Sequence, residues 1–83
     1  MLEVRVLYFG GLRDAVGVSD ESLALPVDVR TVGDLRAHVA ARHRAYAESM
    51  DCVRVARNEA FAEDREALAD GDVIALLPPV AGG

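Results

Sequence analysis

The sequence predicts an α+β domain in which one main helix lies across one face of a mixed sheet. Three observations predict it. Apolar and polar residues alternate at both ends of the chain, a threonine-capped stretch with apolar residues at helical spacing sits between them, and no segment repeats or reads as a linker.

Leu2 to Phe9 alternates, with Leu2, Val4, Val6 and Tyr8 on one face and Glu3, Arg5, Leu7 and Phe9 on the other. The chain thus opens with a strand whose second face begins charged and ends apolar. Gly10 and Gly11 break it, and Leu12 to Val16, closed by Gly17, reads as a turn or a helical turn. Ser22 to Val27 gives a second strand with Leu23, Leu25 and Val27 in alternation, limited or placed at an edge by Pro26. These two strands would pair as a hairpin-like unit.

Thr31 is an N-cap with Asp34 three residues on, a variant of the capping box, and Val32, Leu35 and Val39 follow at helical spacing. A helix over Val32 to His43 is expected, with Arg36, His38, Arg42 and Arg44 on its other side and a basic last turn that suits the helix dipole. A loop carrying Tyr46 and Met50 leads to a third strand, Cys52 to Arg57, with Val53 and Val55 inward. Asn58-Glu59 reads as a turn, Phe61 as the start of a short strand, and Glu63 to Ala69 as a brief helical connection anchored by Leu68. Asp70-Gly71-Asp72 turns into the last strand, Val73 to Leu77, with Ile74 and Leu76 inward and Val73, Ala75 and Leu77 outward. This order is that of the β-grasp arrangement, a domain over residues 1–77 followed by an extended tail, 78–83.

Composition narrows the function. The 83 residues, 52% of them hydrophobic, suffice for a single core. So small a domain buries only about 60% of its unfolded surface, which leaves little to enclose a substrate. A self-contained active site is not expected. The net charge of −5 sets 14 acidic residues against nine arginines and no lysine, which disfavours nucleic acid and anionic membranes as partners. Without lysine, the chain cannot be joined to a copy of itself through a lysine side chain. The single Cys52 excludes an internal disulfide framework, no opening segment resembles a signal peptide, and no apolar run approaches the ~20 residues that span a bilayer, so a cytoplasmic location is expected.

The chemistry is expected in the tail, Pro78-Pro79-Val80-Ala81-Gly82-Gly83. The prolines cannot donate ladder hydrogen bonds and fix an extended path, so the tail projects from the last strand. Val80 and Ala81 give modest apolar grip, and Gly82-Gly83 is narrow enough to thread a tunnel that any Cβ would obstruct. A terminal carboxylate is a poor electrophile, so its use requires activation, most simply as an acyl adenylate made with ATP. Attack by a persulfide sulfur and reduction would then leave a thiocarboxylate on Gly83.

The segment from Asp70 to Gly83, Asp-Gly-Asp-Val-Ile-Ala-Leu-Leu-Pro-Pro-Val-Ala-Gly-Gly, resembles the C-terminus of the MoaD family, the small subunit of molybdopterin synthase. Val4 to Phe9 followed by Leu12-Arg13, the helix start at Thr31, and Asn58 are also similar to that family, so the likeness covers essentially the whole chain. Its most specific motif is the Pro-Pro-Val-x-Gly-Gly ending. The resemblance implies a ubiquitin-like β-grasp fold and no bound cofactor. It also implies adenylation of Gly83 by a ubiquitin-activating-type adenylyltransferase that uses ATP, and sulfur supplied by a sulfurtransferase. The loaded tail, Pro78 to Gly82 leading Gly83, would enter the large subunit, in a heterotetramer of two small and two large subunits. Two carriers in succession would supply the dithiolene sulfurs of molybdopterin to cyclic pyranopterin monophosphate, with the catalytic residues on the partner.

Phe9 and Leu77, outward on the first and last strands, would form an apolar docking patch beside the tail, with Phe61 and Arg13 as neighbours, a use that the family resemblance favours. Sulfur carriers for thiamine or cysteine synthesis, a protein modifier joined through Gly83 to a lysine of another protein, and a plain interaction module are the rival readings. Gly10-Gly11 with Gly17 lacks the order and the lysine of a phosphate loop. His38 and His43 fall on different helix faces, so no metal site is expected, and Asp70 and Asp72 suit a turn better than a calcium loop. Cys52 reads as a small packed residue rather than a nucleophile.

Overall fold

The structure, a computed structural model, describes residues 2–79. The elements in chain order are β1 (Glu3–Tyr8), α1 (Gly10–Val16), β2 (Asp20–Ala24), α2 (Val32–Arg42), α3 (Arg44–Ser49), a 3-10 turn (Met50–Cys52), β3 (Arg54–Arg57), β4 (Ala60–Phe61) and β5 (Val73–Leu77). The five strands form one sheet in the order β2-β1-β5-β3-β4. The central β1–β5 pair is parallel, with Val6 opposite Ile74, and the other pairs are antiparallel. Val4, Val6, Tyr8, Leu23, Val55, Ile74 and Leu76 pack from the sheet against Val32, Leu35, Val39 and Tyr46 from the helices, and all are buried. This is the expected β-grasp, with its last strand in the middle of the sheet.

The helix cap forms as the sequence predicts. Thr31 Oγ1 accepts from the Asp34 N–H at 3.1 Å, and Asp34 Oδ2 accepts from the Thr31 N–H at 3.1 Å. Helix α2 ends at Arg42, one residue before His43, which is extended and separates α2 from α3.

Several expectations are corrected. The Tyr46 segment is helical instead of a loop: Tyr46 and Met50 stand four residues apart, and the Tyr46 side chain is fully buried. Its hydroxyl accepts from Arg36 Nε at 3.1 Å, while Arg36 also donates to the Met50 carbonyl at 2.7 Å and to both Asp64 carboxylate oxygens. Glu63 to Ala69 forms no helix, because its carbonyls serve α2. Glu66 O accepts from the Val32 N–H and Asp64 O from the Gly33 N–H, both at 2.9 Å, so they satisfy donors that the first helical turn leaves open. Gly33 permits the approach, since a Cβ there would lie 3.1 Å from the Asp64 side chain.

Val27 is 77% exposed, not inward. The ladder stops at Ala24, Pro26 has no N–H to extend it, and the chain turns so that Val29 is buried instead. Strand β2 begins two residues earlier than Ser22, at Asp20. Cys52 is exposed in the 3-10 turn, two residues before β3, and so is not packed as expected.

Candidate functional site

Strand β5 runs from a tightly bonded start to an open end, and the candidate site is the open end. Alternation sends Leu77 to the sheet face away from the helices, next to where Pro78 leaves the ladder. Phe9, the residue after β1, is extended and 42% exposed. Phe9, Leu77, Pro78 and Pro79 line one groove of about 770 Å³, completed by Gly11, Leu12 and Ala15 of α1 and by Ala45, Glu48 and Ser49 of α3. The sequence thus places Phe9 and Leu77 together correctly, and the helical wall of the groove is new.

Gly10 shapes this end in a way sequence reading missed. Its φ of +55° lies in the left-handed region, and a Cβ at that position would stand 3.4 Å from Pro78 Cγ. The available signal was a glycine pair directly after a strand. Here it starts α1 while leaving room for the first proline of the tail.

The other two expected docking residues do not line this groove. Phe61 is on β4, separated from β5 by β3, and Arg54 covers its ring with the guanidinium carbon 3.9 Å from the centre. Arg13 is on α1 near Asp14 and lines a separate hollow with Gly17, Val18 and Ser19. Val80, Ala81, Gly82 and Gly83 lie outside the described residues.

Two polar clusters hold the domain away from this end. Asp72 is buried and accepts from Arg57 Nε at 2.6 Å, the Ala69 N–H at 2.8 Å and Asn58 Nδ2 at 2.9 Å. Burial alone would raise its pKa, but the Ala69 N–H, the Arg57 guanidinium and the Asn58 amide outweigh that and hold it below the ordinary carboxylate value. Asn58 and Glu59 both take positive φ in the β3–β4 turn, which the Asp72 bonds help to fix. Glu21 accepts from the Tyr8 hydroxyl at 2.7 Å and from Arg42 at 3.1 Å, and it lies 2.6 Å from His43 Nε2. Burial opposes the Glu21 charge, yet the Tyr8, His43 and Arg42 contacts prevail and lower its pKa, while burial and Glu21 together push Tyr8 well above its ordinary value. Both clusters tie elements together and neither faces the groove. Among the described residues, no group of three His, Cys, Asp or Glu could hold a metal ion, and no helix is long and apolar enough to cross a membrane.

Comparison with known proteins gives consistent matches over the whole chain. The ThiS family pattern matches residues 6–83. A molybdopterin synthase sulfur carrier subunit of Chlamydomonas reinhardtii is 36% identical, over 99% of this chain and 100% of that protein. Among solved structures, small archaeal modifier protein 1 of Haloferax volcanii is similar with a TM-score of 0.83 and 32% identity, over 98% of this chain and 99% of that one. A chain in the complex of subunits 1 and 2 of the molybdopterin-converting factor of Helicobacter pylori gives a TM-score of 0.72 and 28% identity, over 99% of this chain and 100% of that one. With strand order, capped helix and tail base in place and the match running end to end, the chain belongs to the ThiS/MoaD family of ubiquitin-like β-grasp proteins.

Proposed function

We propose that the chain is the sulfur carrier subunit of a molybdopterin synthase and bears the transferable sulfur as a thiocarboxylate on Gly83. The observation that carries this reading is the end of β5. A side-chain-free Gly82-Gly83 terminus follows a proline pair at the rim of an apolar groove, in a chain that aligns along its full length with molybdopterin synthase carriers.

A partner adenylyltransferase converts the Gly83 carboxylate and ATP to the acyl adenylate and pyrophosphate. A persulfide sulfur from a sulfurtransferase attacks the carbonyl and displaces AMP, and a thiol then attacks the sulfurtransferase sulfur of the resulting acyl disulfide, forming a disulfide with it and releasing the thiocarboxylate. That group is a good sulfur nucleophile and supplies one dithiolene sulfur to cyclic pyranopterin monophosphate in the large subunit. A second loaded carrier supplies the other. In this reading the domain contributes position: Pro78 and Pro79 aim the tail, while Phe9 and Leu77, with Phe61 and Arg13 further round the surface, meet the large subunit.

Deleting Gly83 should abolish adenylation and sulfur transfer, because the new terminus stops roughly 3.5 Å short of the partner's reacting groups, and a misplacement of about 1 Å can cost some 10²-fold in rate. Cys52→Ala should leave transfer intact. The assay is molybdopterin formation from thiocarboxylated chain, large subunit and precursor. Full activity without Gly83, or complete dependence on Cys52, defeats the reading. The likeness to an archaeal modifier protein favours a second reading, conjugation of Gly83 to a lysine of another protein. Mass spectrometry of the native chain separates the two: oxygen replaced by sulfur marks the carrier, and an adduct with another chain marks the modifier.

A further inference from the structure

The outer face of the sheet carries an arginine that has no ion-pair partner among the described residues. Arg54 leaves β3 on that face, directly opposite Leu77, and rests over Phe61, which is 61% exposed. The next row across the sheet runs Leu7, Ala75, Ala56, Phe61, so the guanidinium stands within an apolar surface beside the strand that leads to Pro78. Arg5, also on this face, holds Asp20 at 2.6 Å, whereas Arg54 has no carboxylate within ion-pair distance among the described residues. The Phe61 ring attracts the guanidinium charge without neutralising it. In a chain of net charge −5, a polyanion is repelled as a whole, while a single carboxylate presented at this point is attracted.

We propose that Arg54, held on Phe61, is a specificity contact that accepts one carboxylate side chain of the large subunit when the tail is inserted. The inference rests on the sulfur-carrier reading and deepens it. The apolar contacts of Leu77 and Phe9 are tolerant of partner identity, but a stacked guanidinium discriminates, because a partner with a neutral or basic residue opposite it buries a cation unpaired. Arginine presents a flat fork to both ring and carboxylate, which lysine does not.

The test is the affinity of the full chain for its large subunit at low and high salt, with thermal midpoints confirming that each variant is folded. Arg54→Gln should bind about tenfold more weakly and Arg54→Glu about a hundredfold, with Arg54→Lys between wild type and Gln, as loss of a close interfacial charge pair requires. The wild-type affinity should fall more steeply with salt than that of Arg54→Gln. Arg65→Gln, an exposed arginine paired to Glu63 away from the tail, should stay within about twofold of wild type. Equal binding and equal salt response in wild type and Arg54→Gln overturns the inference, as does an equal loss in Arg65→Gln, which would report net charge alone. If the wild-type chain itself does not bind the large subunit, the sulfur-carrier reading fails rather than the role of Arg54.

Discussion

The two ends of β5 differ in how their polar and apolar groups are satisfied. At the start, the Asp72 carboxylate joins Arg57, Asn58 and the Ala69 N–H, the Arg5 N–H donates to the Asp72 carbonyl, and Asp70 and Gly71 are bonded to the backbone of Glu3. At the finish, Leu77 and Phe9 face solvent in part, two prolines stop the ladder, and Arg54 lies across from Leu77 without a counter-charge among the described residues. The difference teaches that one strand can anchor the fold at one end and present a surface at the other. Stability and recognition should therefore respond to different substitutions.

The sharpest way to break this division is Asp72→Ala. It leaves the Arg57 guanidinium partly buried without its partner and should cost about 3 kcal/mol in urea unfolding, with the affinity of the folded chain for its partner unchanged. An equal loss of affinity would show that the two ends are not separable. The same variant tests the sign of an acid effect. Because the native Asp72 pKa is depressed, its stabilisation is fully present above the ordinary carboxylate value of about 4 and is lost as pH falls through the lower native value. Glu21 and Asp34 are also depressed and act in the same direction, so acid unfolding of Asp72→Ala should become shallower without disappearing.

The complementary substitution is Leu77→Glu. It should weaken partner binding about 30-fold, roughly 2 kcal/mol, while the thermal midpoint stays close to wild type. Loss of folding with retained affinity in the folded fraction would reverse the roles of the two ends. Gly10→Ala should have a smaller effect, about 1 kcal/mol of stability, since a side chain must adopt φ of +55° and touch Pro78. If sulfur transfer falls more than stability does, Gly10 sets the path of the tail as well as the start of α1.

Features written in local pattern were legible in the sequence. Alternation gave the inward sets Val4, Val6 and Tyr8 and Ile74 and Leu76, and Thr31 with Asp34 marked the helix start to the residue. The joint placement of Phe9 and Leu77 followed from outward registers on two neighbouring strands. What was lost depended on partners distant in sequence. Arg44–Ser49 carries one large apolar residue, and only Arg36, Asp64 and Met50 explain why Tyr46 is buried in a helix. Glu63 to Ala69 has the composition of a helix, but α2 claims its carbonyls. The exposure of Arg54 opposite Leu77 depends on the β3–β5 register, which no local pattern encodes.

The placement of β5 also bears on the order in which the molecule can be made. β5 is the last strand to be synthesised, yet it lies between β1 and β3, so until it arrives those two strands have unfilled edges facing each other across the future middle of the sheet. A nascent chain stopped before Val73 has neither its central ladder nor its tail, and a chain that has closed the sheet has already emerged to within six residues of Gly83. In the proposed carrier reading, completion of the fold and presentation of Gly83 are consecutive events on the same strand. If the proposed carrier reading holds, an activating enzyme that contacted the closed sheet beside Leu77 would thereby select folded chains.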